Sequence, residues 1–320
     1  MHSIPTRRQF LGSVATTATW AVAGCSQSVS PDNTASEISS SPRMKLSLSA
    51  RVAESFNNKR EAALDIDELI DLAQEIGYDA LCMRASQVGI HSPTEKVTAT
   101  SEAIRNAGLV VSMATGDFYI PQNDDNGPSG LRNITPYLDL AESFGAPLIR
   151  ICMKKEEDIE WAQKASDEAA ERNIRLAHQS HNQSLFETVE GSLRILKAVD
   201  RKNFGIIYEP ANWFTAGEKY GKHGIEAVQE YIFNVYVQNC RLNPKAESAV
   251  NTWGRGRVPI DHIGVWDSGG VNFEEVFDTL HTIGYDSYVT VHQAFAGLME
   301  PEDAARQSYE YLVGIGPFST

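Results

Sequence analysis

Short apolar runs alternate with amphipathic stretches through most of the chain. Eight runs of strand length occur, at residues 45–50, 80–84, 110–115, 147–153, 174–181, 204–209, 235–242 and 288–293. Each leads to apolar residues at helical spacing, at residues 64–76, 97–107, 131–144, 156–171, 187–199, 225–231, 273–283 and 302–313. Strands that alternate with helices in this way predict βαβ units and a parallel sheet.

Eight such units match the size of a (β/α)8 barrel, the TIM barrel of the α/β class. Several predicted helices end in a glycine just before the next strand, at Gly77, Gly108, Gly145 and Gly284, which is typical of a left-handed helix cap. A doubly wound open sheet is the alternative, but no glycine-rich phosphate loop follows the first strand. We therefore predict a single barrel domain at residues 44–316, with residues 317–320 as a short tail.

The first 43 residues have a different character. Arg7 and Arg8 precede a mildly apolar stretch, residues 12–23, that is too short to span a bilayer. This pattern predicts a twin-arginine export signal over residues 1–24, although a chance basic pair is the alternative. Residues 22–25 resemble a lipoprotein cleavage motif, which would leave Cys25 to be lipidated; an ordinary cleavage site beside an incidental thiol is the alternative.

Residues 25–43 are rich in Ser with few large apolar groups, which predicts a disordered tether. Together with the signal, this predicts an exported lipoprotein that is anchored to a membrane and faces the periplasm or the cell surface. The formal charge is −14; removal of residues 1–24 leaves 26 basic and 42 acidic residues, hence −16. An acidic chain argues against nucleic acid and anionic lipid as partners, so membrane contact is expected only through the lipid on Cys25.

Three further cysteines, Cys82, Cys152 and Cys240, are far apart and odd in number. They do not resemble a disulfide framework even for an exported protein. We expect buried thiols.

The run at residues 204–209 ends in a carboxylate followed by a proline, Glu209 and Pro210. A proline cannot continue a central strand, so Glu209 is expected at the carboxyl end of a buried strand. Barrel enzymes keep their chemistry at that end, which makes Glu209 a candidate catalytic residue. A structural carboxylate that pairs with an arginine or caps the next helix is the alternative.

Five segments together resemble a known family. They are residues 174–181, 205–213, 235–239, 269–273 and 284–292. In their residues and their order they resemble the xylose isomerase-like TIM barrel family of sugar phosphate isomerases and epimerases, across nearly all of residues 44–316. The resemblance implies proton transfer next to a carbonyl group, usually assisted by a divalent metal.

In that family the metal is held by a Glu, an Asp or Glu, a His and a Glu at the ends of strands five to eight. The corresponding residues here are Gln179, Glu209, Gln238 and His292. Only Glu209 keeps its usual chemistry, so the affinity for Mg²⁺ or Mn²⁺ should fall, and Zn²⁺ or no metal becomes an alternative.

The same departures affect catalysis. Gln179 can orient or bind a substrate hydroxyl, but an amide cannot act as the base. His292 could replace a lost glutamate as the base or serve as a metal ligand, but one nitrogen cannot do both. His181 lies two positions after Gln179, on the same strand face, and is the other candidate for proton transfer or substrate contact. His178 should point to the opposite face, toward the helices.

Two arginines, Arg84 and Arg150, lie in otherwise apolar strands. A buried guanidinium needs an anionic partner, so each is a candidate clamp for substrate. The alternative is a structural ion pair, with Glu209 or Asp117 as partner.

The stretch at residues 243–267 is too long for a simple connection and is expected to fold over the barrel mouth as a lid. Trp213, and Trp253 within that stretch, are candidates for stacking on a sugar ring, with loop packing as the alternative.

Three functions fit these observations. The first is an isomerase or epimerase acting on a free sugar or sugar derivative by proton abstraction. The second directs the same chemistry to elimination, for example from an oxidised keto glycoside, which needs one general acid rather than two symmetric carboxylates. The third is a barrel that binds carbohydrate without turnover, favoured by the loss of two family glutamates.

Overall fold

A closed parallel barrel forms the body of the computed structural model, which describes residues 43–55, 58, 61–115, 129–295 and 297–318. The strands are β1 (Lys45–Ser49), β2 (Ala80–Arg84), β3 (Val110–Thr115), β4 (Leu148–Ile151), β5 (Arg175–Gln179), β6 (Phe204–Tyr208), β7 (Ile232–Val237), β8 (Cys240–Leu242), β9 (Ala249–Thr252), β10 (Gly256–His262) and β11 (Tyr288–Val291). Strands β1 to β7 pair in sequence order, and β11 closes the barrel between β7 and β1. The predicted (β/α)8 fold is confirmed.

Helices connect the barrel strands on the outside. They are α1 (Ile66–Ile76), α2 (Thr94–Asn106), α3 (Ser129–Arg132), α4 (Thr135–Phe144), α5 (Ile159–Glu171), α6 (Val189–Val199), α7 (Pro210–Ala216), α8 (Lys222–Val228), α9 (Phe273–Thr282) and α10 (Pro301–Ile315). Gly77 and Gly145 cap α1 and α4 with φ angles of 103° and 66°, as predicted, because a residue without a Cβ adopts this conformation without strain. The short α7 was not predicted; it begins at Pro210, two residues after the end of β6, where the missing N–H of a proline costs nothing.

The core has two parts. A large cluster packs the outward faces of the strands against the helices. A smaller cluster fills the inside of the barrel, made of Cys82, Met113, Leu148, Ala177, Ile207, Phe233 and Tyr236. The barrel is therefore a packed core below its carboxyl end, and a ligand can enter only above this cluster.

Strand β7 begins three residues before its predicted start. Asn234 interrupts the apolar run, which is why periodicity missed this part of the strand. Its side-chain oxygen accepts a hydrogen bond of 2.9 Å from the hydroxyl of Thr290 on the neighbouring strand β11, and both side chains are buried. A polar residue is tolerated here because its neighbour in the sheet supplies a partner.

The predicted lid segment forms β9 and β10, which join β8 in a three-stranded antiparallel sheet in the order β8, β10, β9. This explains its length, since the segment has its own hydrogen-bonded structure. The side chain of Asn239 anchors the chain that follows: it donates to the carbonyl oxygens of Gly264 and Val265 and accepts from the N–H of Val271.

The first and last described segments meet beside β1. Met44 N donates a hydrogen bond of 3.1 Å to the carbonyl oxygen of Pro317, and Phe318 is buried against Phe277. The described fold therefore includes Pro317 and Phe318, two residues beyond the predicted end of the barrel at residue 316. The expected signal, tether and lipidation site Cys25, at residues 1–42, lie outside the described residues. Within the described part, no helix is long and apolar enough to cross a membrane.

The prediction of buried thiols is confirmed. Cys82, Cys152 and Cys240 are all buried. Burial, with a smaller contribution from nearby Glu209, raises the pKa of the Cys240 thiol to about 12. This thiol is protonated at neutral pH and is a poor nucleophile.

Candidate functional site

A layer of polar side chains covers the apolar interior of the barrel at the carboxyl ends of the strands. Because side chains alternate along a strand, each of these residues lies two positions beyond one that points into the interior. Arg84 follows Cys82, Arg150 follows Leu148, Gln179 follows Ala177, Glu209 follows Ile207, and His292 follows Thr290. We call Arg84, Arg150, Gln179, Glu209 and His292 the polar floor.

A cavity of about 270 Å³ lies above the polar floor. Its described lining consists of three arginines, two histidines, six amide side chains and one valine: Arg51, Arg84, Arg150, His181, His292, Gln179, Asn182, Gln183, Asn212, Gln238, Asn251 and Val250. The sheet of the predicted lid contributes Val250 and Asn251 through β9. No carboxylate belongs to this described lining, which is therefore polar and cationic.

Gln179 links a cation to an anion within the polar floor. Its side-chain oxygen accepts a hydrogen bond of 2.9 Å from Arg150 Nη1, and its side-chain nitrogen donates to Glu209 Oε2. These two neighbours determine the orientation of the amide. In the opposite orientation its nitrogen would face the Arg150 guanidinium, also a donor, and its oxygen would face the Glu209 carboxylate, also an acceptor. Glu209 is completely buried and lies beneath Gln179 rather than in the wall of the cavity.

Arg84 forms an ion pair with Glu54. Arg84 Nε lies 2.5 Å from Glu54 Oε1, and Ser86 donates to the same oxygen at 2.7 Å. Arg51 Nη1 donates to Glu54 Oε2 at 2.9 Å, so two arginines share one buried carboxylate. Burial lowers the pKa of Arg51, and Glu54 opposes that shift.

Arg84 thus forms a structural ion pair, which was the alternative to a substrate clamp, but its partner is Glu54 instead of Glu209. Asp117, the other expected partner, lies outside the described residues. Arg84 also remains in the lining of the cavity. It can contribute positive charge to a bound ligand, while its hydrogen bonds to Glu54 join two segments at the barrel mouth.

His292 is held in a fixed orientation. Its Nδ1 lies 3.0 Å from Ser49 Oγ, across the β1–β11 pair of strands. Its ring stacks on Tyr236, with centroids 3.7 Å apart and planes inclined by 5°. The Arg150 guanidinium carbon also lies 5.8 Å from the centroid of the Tyr236 ring, so one buried aromatic ring supports both residues.

His181 lies in the loop after β5 and lines the same cavity as His292. Its Nδ1 lies 2.7 Å from the carbonyl oxygen of Asn182. His178 is different: it is fully buried outside the barrel, stacked on Phe186 with centroids 4.2 Å apart, and burial lowers its pKa to about 4. This agrees with the expected structural role of His178.

The two tryptophans expected at the substrate lie elsewhere. Trp213 has 0% exposure, and its indole N–H donates to the carbonyl oxygen of Phe186 at 3.1 Å. This corrects the expectation for Trp213, because α7 turns the ring into the core. Trp253 is 55% exposed at the tip of the β9–β10 hairpin and does not belong to the described lining of the cavity.

A buried carboxylate holds this hairpin tip. Glu187 accepts hydrogen bonds from the backbone N–H groups of Trp253, at 2.8 and 2.9 Å, and of Gly254, at 3.0 Å. It also accepts one of 2.6 Å from the N–H of Gln183, which lines the cavity. Glu187 therefore fixes the hairpin relative to the loop after β5.

Several residues of the site were not predicted from the sequence. They are Arg51, Glu54, Glu187, Tyr236 and Asn251. Arg51 and Glu54 follow shortly after the first strand. Their positions beyond the end of a barrel strand could have identified them as candidate site residues. Glu187 and Asn251 gave no such signal, since their positions depend on how distant loops fold together.

The residues present do not fit a divalent cation. Of the four positions that the family resemblance implies, Gln179 has its oxygen on Arg150, and a metal ion there would lie next to a guanidinium. Glu209 is in contact with the amide nitrogen of Gln179. Among the described residues, no group of three or more His, Cys, Asp or Glu side chains could hold a metal ion.

Comparison with known proteins agrees with this architecture. Residues 70–314 match the family model described as xylose isomerase-like TIM barrel. No curated protein matches the sequence.

Three solved structures illustrate the likeness in fold. The probable 3-DHS dehydratase AsbF of Bacillus anthracis is 16% identical, with 84% of this chain and 99% of that chain covered and a TM-score of 0.65. The IOLI protein with a bound zinc atom is 15% identical, with coverages of 87% and 100% and a TM-score of 0.64. The D-allulose 3-epimerase of Methylomonas sp., in complex with D-allulose, is 16% identical, with coverages of 86% and 98% and a TM-score of 0.62.

Proposed function

Because this chain belongs to the xylose isomerase-like TIM barrel family, we propose that it is an enzyme for a small carbohydrate derivative, acting by proton transfer next to a carbonyl group. One observation carries the proposal. The cavity at the carboxyl end of the barrel contains two histidines, His181 and His292, in an otherwise amide- and arginine-lined wall. Imidazole is the side chain whose ordinary pKa suits proton transfer at neutral pH.

The polar floor suggests a role for each residue. His292, oriented by Ser49 and Tyr236, accepts the proton on the carbon beside the carbonyl group, and His181 donates or accepts the second proton. Arg84, which lines the cavity, contributes positive charge toward the carbonyl oxygen, where negative charge develops as the proton leaves. Gln179 and Glu209 hold Arg150 in place through the hydrogen bonds described above.

The size of the cavity supports a small ligand. A volume of about 270 Å³ lies just below the range of about 300 to 1,000 Å³ of most ligand pockets. Such a cavity suits a monosaccharide or one ring of a larger glycoside. The sugar complex of the D-allulose 3-epimerase supports a sugar-type ligand in this fold, and isomerisation or epimerisation is the leading reaction.

Elimination is the second candidate, and the asymmetry of the site favours it. Epimerases and isomerases of this family use two glutamates, whereas this cavity offers two histidines in different settings and no carboxylate in its described lining. Removal of one proton followed by loss of a leaving group needs one base and one acid. His292 and His181 could supply these roles.

The test is the fate of the proton next to the carbonyl group. The protein would be incubated in D₂O with a panel of aldoses, ketoses and keto glycosides, and the recovered sugars analysed by NMR and mass spectrometry. Deuterium in recovered sugar or in an isomer supports isomerisation, whereas an unsaturated product supports elimination. His292→Ala and His181→Ala should each abolish the signal, whereas His91→Ala, at an exposed position outside the described lining of the cavity, should not.

Binding without exchange or product anywhere in the panel would refute the enzymatic proposal and leave a carbohydrate-binding barrel.

A further inference from the structure

Resting on this proposed function, we infer that the substrate carries a carboxylate group and that Arg150 binds it. The expected substrate class is a sugar acid, such as a uronic or aldonic acid. Three features of the cavity lead to it: an excess of positive charge, an arginine whose binding capacity is not used by its neighbours, and the small size of the site.

The charge balance favours an anion. Three arginines line the cavity, Arg51, Arg84 and Arg150, and the carboxylates that contact this network are Glu54 and Glu209. Three positive charges against two negative ones leave one positive charge in excess among the described residues. A small cleft with an excess positive charge raises the local concentration of anions.

Arg150 is the arginine of this cavity that has no carboxylate partner among the described residues. It is only 5% exposed, yet no ion pair joins it to any acidic residue that the structure describes. One of its nitrogens donates to the neutral Gln179, and its Nε, buried, has no hydrogen-bond partner in the described part of the chain. A buried guanidinium without an anionic partner is costly, and an anion that contacts Arg150 from the cavity lowers this cost.

The shape of the guanidinium favours a carboxylate over a phosphate. Its planar donors match the two oxygens of a carboxylate in a paired hydrogen bond. A carboxylate brings a single negative charge, which equals the excess charge of the site, whereas a phosphate monoester brings about two at neutral pH. The small volume also suits a monosaccharide acid.

Matched ligands test the inference without turnover. Binding of D-glucuronate and D-galacturonate to the protein would be measured by calorimetry, beside their uncharged amides and the parent sugars. Glucose 6-phosphate would represent the phosphate source. We expect the acids to bind about tenfold or more tightly than the amides, since a hydrogen bond to a charged group is worth more than a neutral one.

Variants locate the effect. Arg150→Gln should remove the preference for acid over amide, Arg150→Lys should keep part of it, and Arg306→Gln, which removes an exposed arginine on α10, should leave it unchanged. Retention of the wild-type thermal unfolding temperature by Arg150→Lys would show that the fold is intact.

Three outcomes overturn the inference: equal affinity for acids and amides, tightest binding by glucose 6-phosphate, or a preference that persists in Arg150→Gln. These outcomes are separate from those of the proposed function. Acid binding without proton exchange supports the carboxylate site and refutes the enzyme, whereas exchange on neutral keto sugars with no preference for acids does the reverse.

Discussion

The ring of His292 lies parallel to the ring of Tyr236, with the centroids 3.7 Å apart. Tyr236 comes from β7 and His292 follows the neighbouring strand β11, so the stack joins two strands at the barrel mouth. Tyr236 is fully buried, and burial raises the pKa of its phenol well above the usual range. The neutral phenol thus acts as a platform that sets the orientation of the imidazole.

This stack predicts a difference between two substitutions of Tyr236. Tyr236→Phe keeps the ring and loses only the hydroxyl contact with Cys82 Sγ, at 3.7 Å, so the proposed proton exchange should stay near the wild-type rate. Tyr236→Leu removes the platform and should slow exchange by about tenfold to a hundredfold, because misorientation of a catalytic group has effects of that size. Solvent deuterium exchange is the measurement. Equal rates in the two variants would show that stacking does not orient His292.

Substitution of Glu187 should loosen the β9–β10 hairpin. Glu187→Ala removes the acceptor for three backbone N–H groups, those of Gln183, Trp253 and Gly254. We expect faster tryptic cleavage at the exposed Arg255 and Arg257 and weaker ligand binding, because the hairpin contributes Asn251 to the cavity.

Limited proteolysis followed by mass spectrometry measures the loosening. The exposed Glu190→Ala is the matched control, since it removes a carboxylate from the same region. Cleavage rates as slow as those of the control would contradict the role of Glu187.

His178 predicts a loss of stability in acid. Its pKa is about 4 in the folded protein and about 6.5 in the unfolded chain, so the unfolded chain binds the proton more readily. The contribution is fully present above pH 6.5 and is lost as the pH falls toward 4, by about 3 kcal/mol at most. Urea unfolding at several pH values measures the slope. His178→Gln should flatten it between pH 6.5 and 4, whereas His91→Gln, at an exposed position, should not; a slope unchanged in His178→Gln would refute the assignment.

The donor set of the polar floor predicts little metal binding. The purified protein, offered Mn²⁺ and Zn²⁺, should retain far less than one metal ion per chain, because Arg150 occupies the oxygen of Gln179. The double variant Arg150→Gln with Gln179→Glu removes the cation and restores a carboxylate, so its metal content should rise. Mass spectrometry of bound metals measures both. Stoichiometric metal in the wild type that disappears in Glu209→Ala would overturn this prediction.

The N-terminal pattern predicts attachment through lipid at Cys25. We propose that the full chain, expressed in a bacterium with the twin-arginine route, appears in the membrane fraction and incorporates labelled palmitate. Cys25→Ala should release it into a soluble fraction, and substitution of both Arg7 and Arg8 by Lys should retain it in the cytoplasm. Palmitate labelling that persists in Cys25→Ala would show that another residue is modified.

Much of the architecture could be predicted from local pattern. The bounds of β2 and β3 matched the prediction, because apolar runs bounded by polar residues depend on neighbours close in the chain. Periodicity failed at Asn234, where a hydrogen bond from Thr290 on the next strand makes a polar residue acceptable inside the barrel. Periodicity also failed to predict α7, a helix of seven residues whose apolar side chains are buried against other parts of the fold.

The candidate site could likewise be predicted only in part from local pattern. Sequence reasoning found the strand ends that carry Arg84, Arg150, Gln179 and His292, and all four line one cavity. It could not find that Arg84 pairs with Glu54, that Gln179 joins Arg150 to Glu209, or that Trp213 is core. Those contacts connect residues from different units, and the direction of each side chain depends on the register of neighbouring strands.

Hydrophobic periodicity and helix caps act over a few residues, so the alternation of strands and helices, and hence the eight-unit barrel, could be predicted from the sequence. Which charges meet and which remain for a ligand depends on the folded chain. Closure of the barrel brings the ends of all eight strands to one mouth, where Glu54 satisfies two arginines and leaves Arg150 with a neutral amide. Charge pairing is short in range, so it depends on distances that only the folded chain establishes.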